Sequence, residues 1–212
     1  GKDYRVMCYT IYEGMVSEFA VIAVEDSTKV KITPTANTTV HPAGIEYEVL
    51  LTKGQTYQVW AQNQKFGSCD LTGTLIKADK PVSVFSGHTC ASVPPKVIAC
   101  NHLVEQMPPL DTWGRHFFIG KFLTRTNYTY RVLANDSNTK VFEDNKLVKV
   151  LQSGEFYENQ SDRDVQITSD KPVLVAQYSQ GFQNGDSIGD PMMIMVSPTQ
   201  QFLKKYLFAT PI

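Results

Sequence analysis

The sequence predicts an all-β protein built from two tandem, internally duplicated antiparallel β-sandwiches. Three observations carry that prediction. Apolar and polar residues alternate at period two through short runs, turn residues punctuate those runs at regular spacing, and the second half of the chain repeats landmarks of the first in the same order. With 212 residues, 42% apolar, the chain is large enough to bury the interiors of two such units.

In the first unit, period-two strands are expected around Val30 and Ile32, around Tyr47, Val49 and Leu51, around Tyr57 and Val59, and around Val82, Val84 and Ser86. Between them lie Glu25-Asp26-Ser27, Pro42-Ala43-Gly44, Lys53-Gly54, Ala78-Asp79-Lys80 and Ser92-Val93-Pro94-Pro95, residue types that favour turns. The spacing suits roughly seven strands in each unit of about 100 residues. No window holds a 3.6-residue stripe; the best helical candidate is 101–107, one or two turns stopped by Pro108-Pro109.

Asp79-Lys80-Pro81-Val82-Ser83-Val84 returns as Asp170-Lys171-Pro172-Val173-Leu174-Val175. Gly54-Gln55-Thr56-Tyr57 returns as Gly154-Glu155-Phe156-Tyr157, and Thr28-Lys29-Val30 as Thr139-Lys140-Val141. Order is kept while the offset shrinks along the chain, which two copies would show if the first had the longer loops, among them Phe66-Gly67-Ser68-Cys69. The units are expected at 1–107 and 108–212. Pro109, Trp113, Phe117 and Ile119 share their spacing with Pro198, Phe202, Tyr206 and Phe208, so 198–212 reads as the first strand of a third unit or as a closing strand. Trp113 is expected to wedge between the sandwiches.

Twenty basic residues against twenty-one acidic ones, without a block of like charge, leave no electrostatic footprint for nucleic acid. No wholly apolar run approaches the roughly 20 residues that cross a bilayer, and Gly1 opens no basic-then-apolar leader, so a soluble segment without membrane insertion is expected.

Four cysteines suit two disulfides. Cys90 and Cys100 bracket a short segment with Pro94-Pro95, a plausible local link, which leaves Cys8 with Cys69. The competing reading is a zinc set of His88, Cys90, Cys100 and His102, whose spacing matches neither a finger nor a ribbon. Sequons stand at Asn37, Asn127, Asn135 and Asn159, against about two expected by chance. Paired cysteines, sequons and polar loops together point to a secreted, extracellular protein.

The familiar catalytic motifs are missing: there is no Gly-x-Ser-x-Gly elbow, phosphate-cradling loop, His-Glu-x-x-His helix or Cys-x-x-Cys pair. On a helical turn His102 and Glu105 would share a side, enough for proton transfer, with His116 as a third member, although an interdomain structural role suffices for both. Asp186 and Asp190, in a glycine-rich stretch, could gather round calcium, but Asx-turns explain them as well. Tyr12, Phe66, Tyr128 and Tyr130 are the aromatics that could stack on sugars, or else fill the core. No cofactor is expected.

Asp79-Lys80-Pro81-Val82-Ser83-Val84-Phe85-Ser86-Gly87, the run from Ala99-Cys100-Asn101-His102-Leu103-Val104-Glu105 through Gln106-Met107-Pro108-Pro109, and Trp113-Gly114 resemble the N-terminal domain family of the IgG Fc-binding protein. Gly189-Asp190-Pro191-Met192, Gln200-Gln201-Phe202 and Tyr206-x-Phe208-x-Thr210-Pro211 extend the resemblance over most of the chain. It implies a secreted module of mucus-associated proteins that carry von Willebrand factor D-type repeats, and it supplies no catalytic residue. The expected function is therefore a non-enzymatic binding or adhesion module of a larger mucus- or matrix-type protein, acting through surface loops. Its partners would be mucin or matrix components, immunoglobulin Fc, or neighbouring domains of the same polypeptide. A carbohydrate-binding domain is the alternative, and a hydrolase using His102 and Glu105 the more distant one.

Overall fold

Thr28, Val30 and Ile32 turn inward while Lys29 and Lys31 face water, and the same alternation, set by the two-residue period of a strand, runs through most of the chain. In the computed structural model, which describes residues 1–10, 14–63, 69–97, 99–184, 186–207 and 209, it produces fifteen strands and no α-helix among the described residues. The first eight are β1 (Asp3–Arg5), β2 (Ser17–Ala23), β3 (Thr28–Thr33), β4 (Tyr47–Leu51), β5 (Thr56–Trp60), β6 (Leu75–Ala78), β7 (Val82–Ala91) and β8 (Asn101–Gln106). The others are β9 (Gly114–Ile119), β10 (Tyr128–Ala134), β11 (Thr139–Glu143), β12 (Lys146–Leu151), β13 (Phe156–Ser161), β14 (Val165–Ser179) and β15 (Met193–Val196). Among the described residues no helix is long and apolar enough to cross a membrane.

Two antiparallel sheets, ordered β1-β6-β3-β4 and β5-β2-β7-β8, face each other in the first half of the chain. Val30, Ile32, Leu51 and Ile76 of one meet Phe19, Val21, Val59 and Val84 of the other in a common core. In the second half the long strand β14 serves both layers. Its first part pairs with β9 and β11, and after the Asp170-Lys171-Pro172 bend its second part pairs with β10 and β15. The resulting orders are β9-β14-β11-β12 and β13-β10-β14-β15, the same orders as in the first half when β14 stands for β6 and β7. Each half thus has eight strand positions, one more than the sequence suggested.

Register and side-chain bonds also coincide. Val21 lies opposite Val84, as Val132 lies opposite Val175, and Thr28 lies opposite Leu51, as Thr139 lies opposite Leu151. Asp79 accepts a hydrogen bond from the Lys29 amide at 2.9 Å, and Asp170 from the Lys140 amide at 2.8 Å. Lys80 caps the Asp26 carbonyl where Lys171 caps that of Ser137. Gly54 and Gly154 both take positive φ in the turn before the fifth strand, the conformation glycine adopts without steric cost. Asp-Lys-Pro is therefore turn chemistry: the acid fixes a neighbouring strand, the lysine closes the turn, and proline stands where no ladder donor is needed.

The helical expectation at 101–107 is overturned. This segment is β8, with Val104 opposite Gly87 and Glu105 opposite Ser86. A side chain at Gly87 would meet the Leu103 carbonyl 1.8 Å from its Cβ, so the bare backbone there is what lets β8 approach and pair.

The two halves are fused by a buried boundary. Leu133, Leu174, Ala176, Tyr178 and Met193 of the second join Tyr4, Val6, Met7 and Tyr9 of the first in one apolar cluster. Trp113, between β8 and β9, is buried in this cluster and donates its indole N–H to the Pro108 carbonyl at 3.2 Å.

Candidate binding surface

The outer face of the sheet β5-β2-β7-β8 shows what a half-buried sheet leaves open. Phe19, Val21 and Val59 point in, so Glu18, Ala20, Gln58, Trp60 and Phe85 point out. His102 and Val104 of β8 complete the face. Glu18 organises it: its Oε2 accepts hydrogen bonds from Gln58 Nε2 at 2.8 Å and Trp60 Nε1 at 2.7 Å, and His102 Nδ1 lies 3.7 Å from its Oε1. Trp60 is 43% and Val104 53% exposed. Beside Val104 a shallow hollow of about 140 Å³ is lined by Glu18, Ala20, Gln58, Phe85, Gly87 and His102, among others. An aromatic, an aliphatic and an ordered acid on a rigid sheet form a surface suited to recognition by contact.

The corresponding face of the second sandwich is covered. Thr129, Arg131, Leu133, Leu174, Ala176 and Tyr178 occupy the positions of Glu18, Ala20, Ile22, Ser83, Phe85 and Gly87, and all are buried. Arg131, 2% exposed, is the centre of the contact. Its guanidinium donates to Glu158 at 2.7 Å within its own sandwich, and to Asp70 at 2.8 Å and the Cys8 carbonyl at 2.9 Å in the first. The ring faces of Tyr9 and Phe156 lie 4.4 and 4.2 Å from the guanidinium carbon. Tyr178 donates its hydroxyl to the same Cys8 carbonyl. Arg5 reaches back to Asn135, Ser153 and the Gly73 carbonyl.

Cys90 and Cys100 are joined, with Cα atoms 5.1 Å apart, which removes both thiolates from the zinc reading. The Cys8–Cys69 link is not formed, and both sulfurs remain buried thiols. Burial pushes the Cys8 thiol well up, and with it goes the thiolate that disulfide exchange requires. His88 is buried, accepts the Cys90 amide at Nδ1, and is lowered by burial to about 4, so it is neutral at physiological pH.

His102 and Glu105 do not share a side: three residues apart on a strand, they face opposite ways. His116 sits on β9 of the other sandwich, opposite Thr168. Burial raises the Glu105 carboxyl, but no histidine is placed beside it by the strand geometry. Asp186 is committed to Arg125 at 2.8 Å and to the amides of Thr126 and Ile188. Burial works to raise its carboxyl, and these hydrogen bonds outweigh it and hold the group below the usual carboxylate range. Asp190 lies exposed on the same loop, and no cluster of three acidic, histidine or cysteine side chains that could hold a metal occurs among the described residues. Tyr128 and Tyr130 are core residues, while Tyr12 and Phe66 lie outside the described residues.

Of the sequon residues, Asn37 is exposed on a loop, and Asn127 is half-buried just before β10. Asn135 is held by Arg5 at the boundary, and Asn159 donates its amide to Tyr130 and Glu143. Sequence reading did not single out the Glu18, Gln58 and Trp60 face, although Trp60 stands one step from inward Val59 in an alternating run. Nor did it single out Arg131, in a strand whose side chains are buried on both faces.

The family model described as IgGFc binding protein matches residues 1–212. The IgGFc-binding protein of Homo sapiens is 28% identical over 201 residues, covering 91% of this chain and 4% of the relative, so the chain spans a small fraction of that protein's length. No solved structure gives a significant match. Motif run, whole-length family match and curated relative agree: the chain belongs to the IgGFc-binding protein family.

Proposed function

We propose that this chain is a non-enzymatic extracellular binding module, made of two copies of one sandwich unit, and that the open face carrying Glu18, Trp60, His102 and Val104 is its docking surface for a protein. One observation carries the reading: the same sheet face that the first sandwich leaves open is, on the second, the face that makes a protein contact. A flat, ordered sheet with an exposed tryptophan beside a hydrogen-bonded acid suits a folded protein surface better than a small substrate, for which the shallow hollow offers little enclosure. The family name puts immunoglobulin Fc first among partners to be tried, with mucin and matrix glycoproteins next.

The disulfide and the exposed sequon Asn37 are consistent with secretion. No catalytic step is assigned, because His102, Glu105 and His116 face different ways.

Biosensor titration of the chain against IgG Fc and against purified mucin tests the proposal. Replacing Trp60 and Val104 together by Ser is expected to weaken binding by about a hundredfold with the melting temperature unchanged. Binding that survives this double substitution would move the surface elsewhere, to the loops. A saturable glycan-array signal abolished by chelator would instead establish a carbohydrate-binding domain.

A further inference from the structure

The segment after β15 repeats the junction between the two sandwiches. Leu110–Thr112 and Thr199–Gln201 are both single 3₁₀ turns, entered from extended Pro109 and Pro198 and left through extended Trp113 and Phe202. Each proline lies over a glycine at or just before a first strand, Gly1 two residues ahead of β1 and Gly114 opening β9: a Cβ on Gly1 would come within 2.3 Å of Pro109 Cβ, and one on Gly114 within 2.2 Å of Pro198 Cβ. Gln201 ties the second turn to the first by donating to the Thr112 carbonyl.

Beyond the second turn, residues 202–207 have the composition of a first strand but join no sheet. In β9 the inward residues Phe117 and Ile119 are buried. By the same spacing Tyr206 stands at the Phe117 position, yet 202–207 forms no strand, and Phe202, Leu203, Tyr206 and Leu207 are all exposed, Leu207 completely. Trp113 is buried because the second sandwich covers it; Phe202, its counterpart, has nothing comparable over it.

A second surface points the same way. The first sandwich covers the second with residues 4–9 and 70–74. Pairing of β1 with β6, and of β9 with β14, aligns Arg5 with Phe118 and places Leu123 just past the counterpart of Tyr9. Phe118 is 59% and Leu123 97% exposed, apolar groups at the end of the second sandwich that corresponds to the covering end of the first.

We infer that residues 203–207 belong to the first strand of a third sandwich supplied by the continuation of the polypeptide, and that this third unit docks on the Phe118 and Leu123 end of the second. The inference rests on the two-copy reading but not on the identity of the partner. A short proline-bounded turn fixes the direction in which the next unit leaves, so an equal junction sets an equal placement. The relative, of which this chain covers 4%, has ample length for such an arrangement.

Hydrogen exchange, compared between the natural polypeptide and residues 1–212, tests it. In the longer chain, amides of 203–207 are expected to exchange about a hundredfold more slowly, as paired strand does. Thiols introduced by Phe118→Cys and Leu123→Cys are expected to be labelled about tenfold more slowly there. Equal rates in the two chains would overturn the inference, as would a natural polypeptide without a further unit after 212. Protection in residues 1–212 alone that grows with concentration would also overturn it, by making a second copy the occupant. None of these outcomes depends on Trp60 and Val104, so they are distinguishable from failure of the binding proposal.

Discussion

Arg131 and Asp70 form an ion pair 2.8 Å long across the boundary between the two sandwiches, with the arginine side chain almost wholly removed from water. A buried charge is tolerable only when paired and fully hydrogen-bonded, and here Glu158, the Cys8 carbonyl and two ring faces complete its surroundings. Displacement of either sandwich would strand the charge.

Arg131→Ala is therefore expected to destabilise the protein by about 3–5 kcal/mol and to split the thermal transition into two. Asp70→Asn, which keeps a hydrogen-bond acceptor, should cost less. Calorimetry of the two variants checks the ranking; a single transition at the parental temperature for Arg131→Ala would contradict it.

Stability should fall with acidity through His88. Its folded value near 4 lies below the ordinary 6.5, so the unfolded chain binds more protons between those limits. The His88 contribution is complete above pH 6.5 and is lost as pH falls toward 4, amounting to about 3 kcal/mol by linkage. Denaturant titrations across this window should show the slope, and His88→Gln should flatten it.

Gly87→Ala places a methyl where the Leu103 carbonyl stands. Overpacking of this kind costs about 1–3 kcal/mol, and the local response should be detachment of β8 from β7. Hydrogen exchange at Leu103 and Glu105 should accelerate, and the binding proposed for the Trp60 face should weaken because His102 and Val104 move with the strand.

Val82→Asp and Val173→Asp bury an unpaired carboxylate in the first and second core respectively, at a cost of several kcal/mol. Each should abolish cooperative folding of its own sandwich. Circular dichroism melts resolve this, and a parental melt in either variant would contradict the core assignment.

Non-reducing peptide mapping should recover Cys90 and Cys100 in one cross-linked fragment. Replacing both by Ser is expected to cost about 2–3 kcal/mol, the scale for a loop of this length.

The sequence by itself determined the alternating strands of the first half, the turns and the repeated landmarks. Val82 faces inward by period-two alternation and Val173 repeats it in the second core, Gly54 and Gly154 mark turns, and Asp79-Lys80 and Asp170-Lys171 are turn residues, all readable because strand patterning and turn chemistry are local. Only the tertiary structure decided what depends on distant segments. Asn101–Gln106 carries little alternation of its own and became a strand because Gly87 admitted it to an edge. Arg131 is interior because the other sandwich covers it, and Trp60 is open because nothing in the described chain covers the matching face. Alternation along a strand says which side chains share a face; which of two equivalent faces meets water is settled by the placement of one unit against the next.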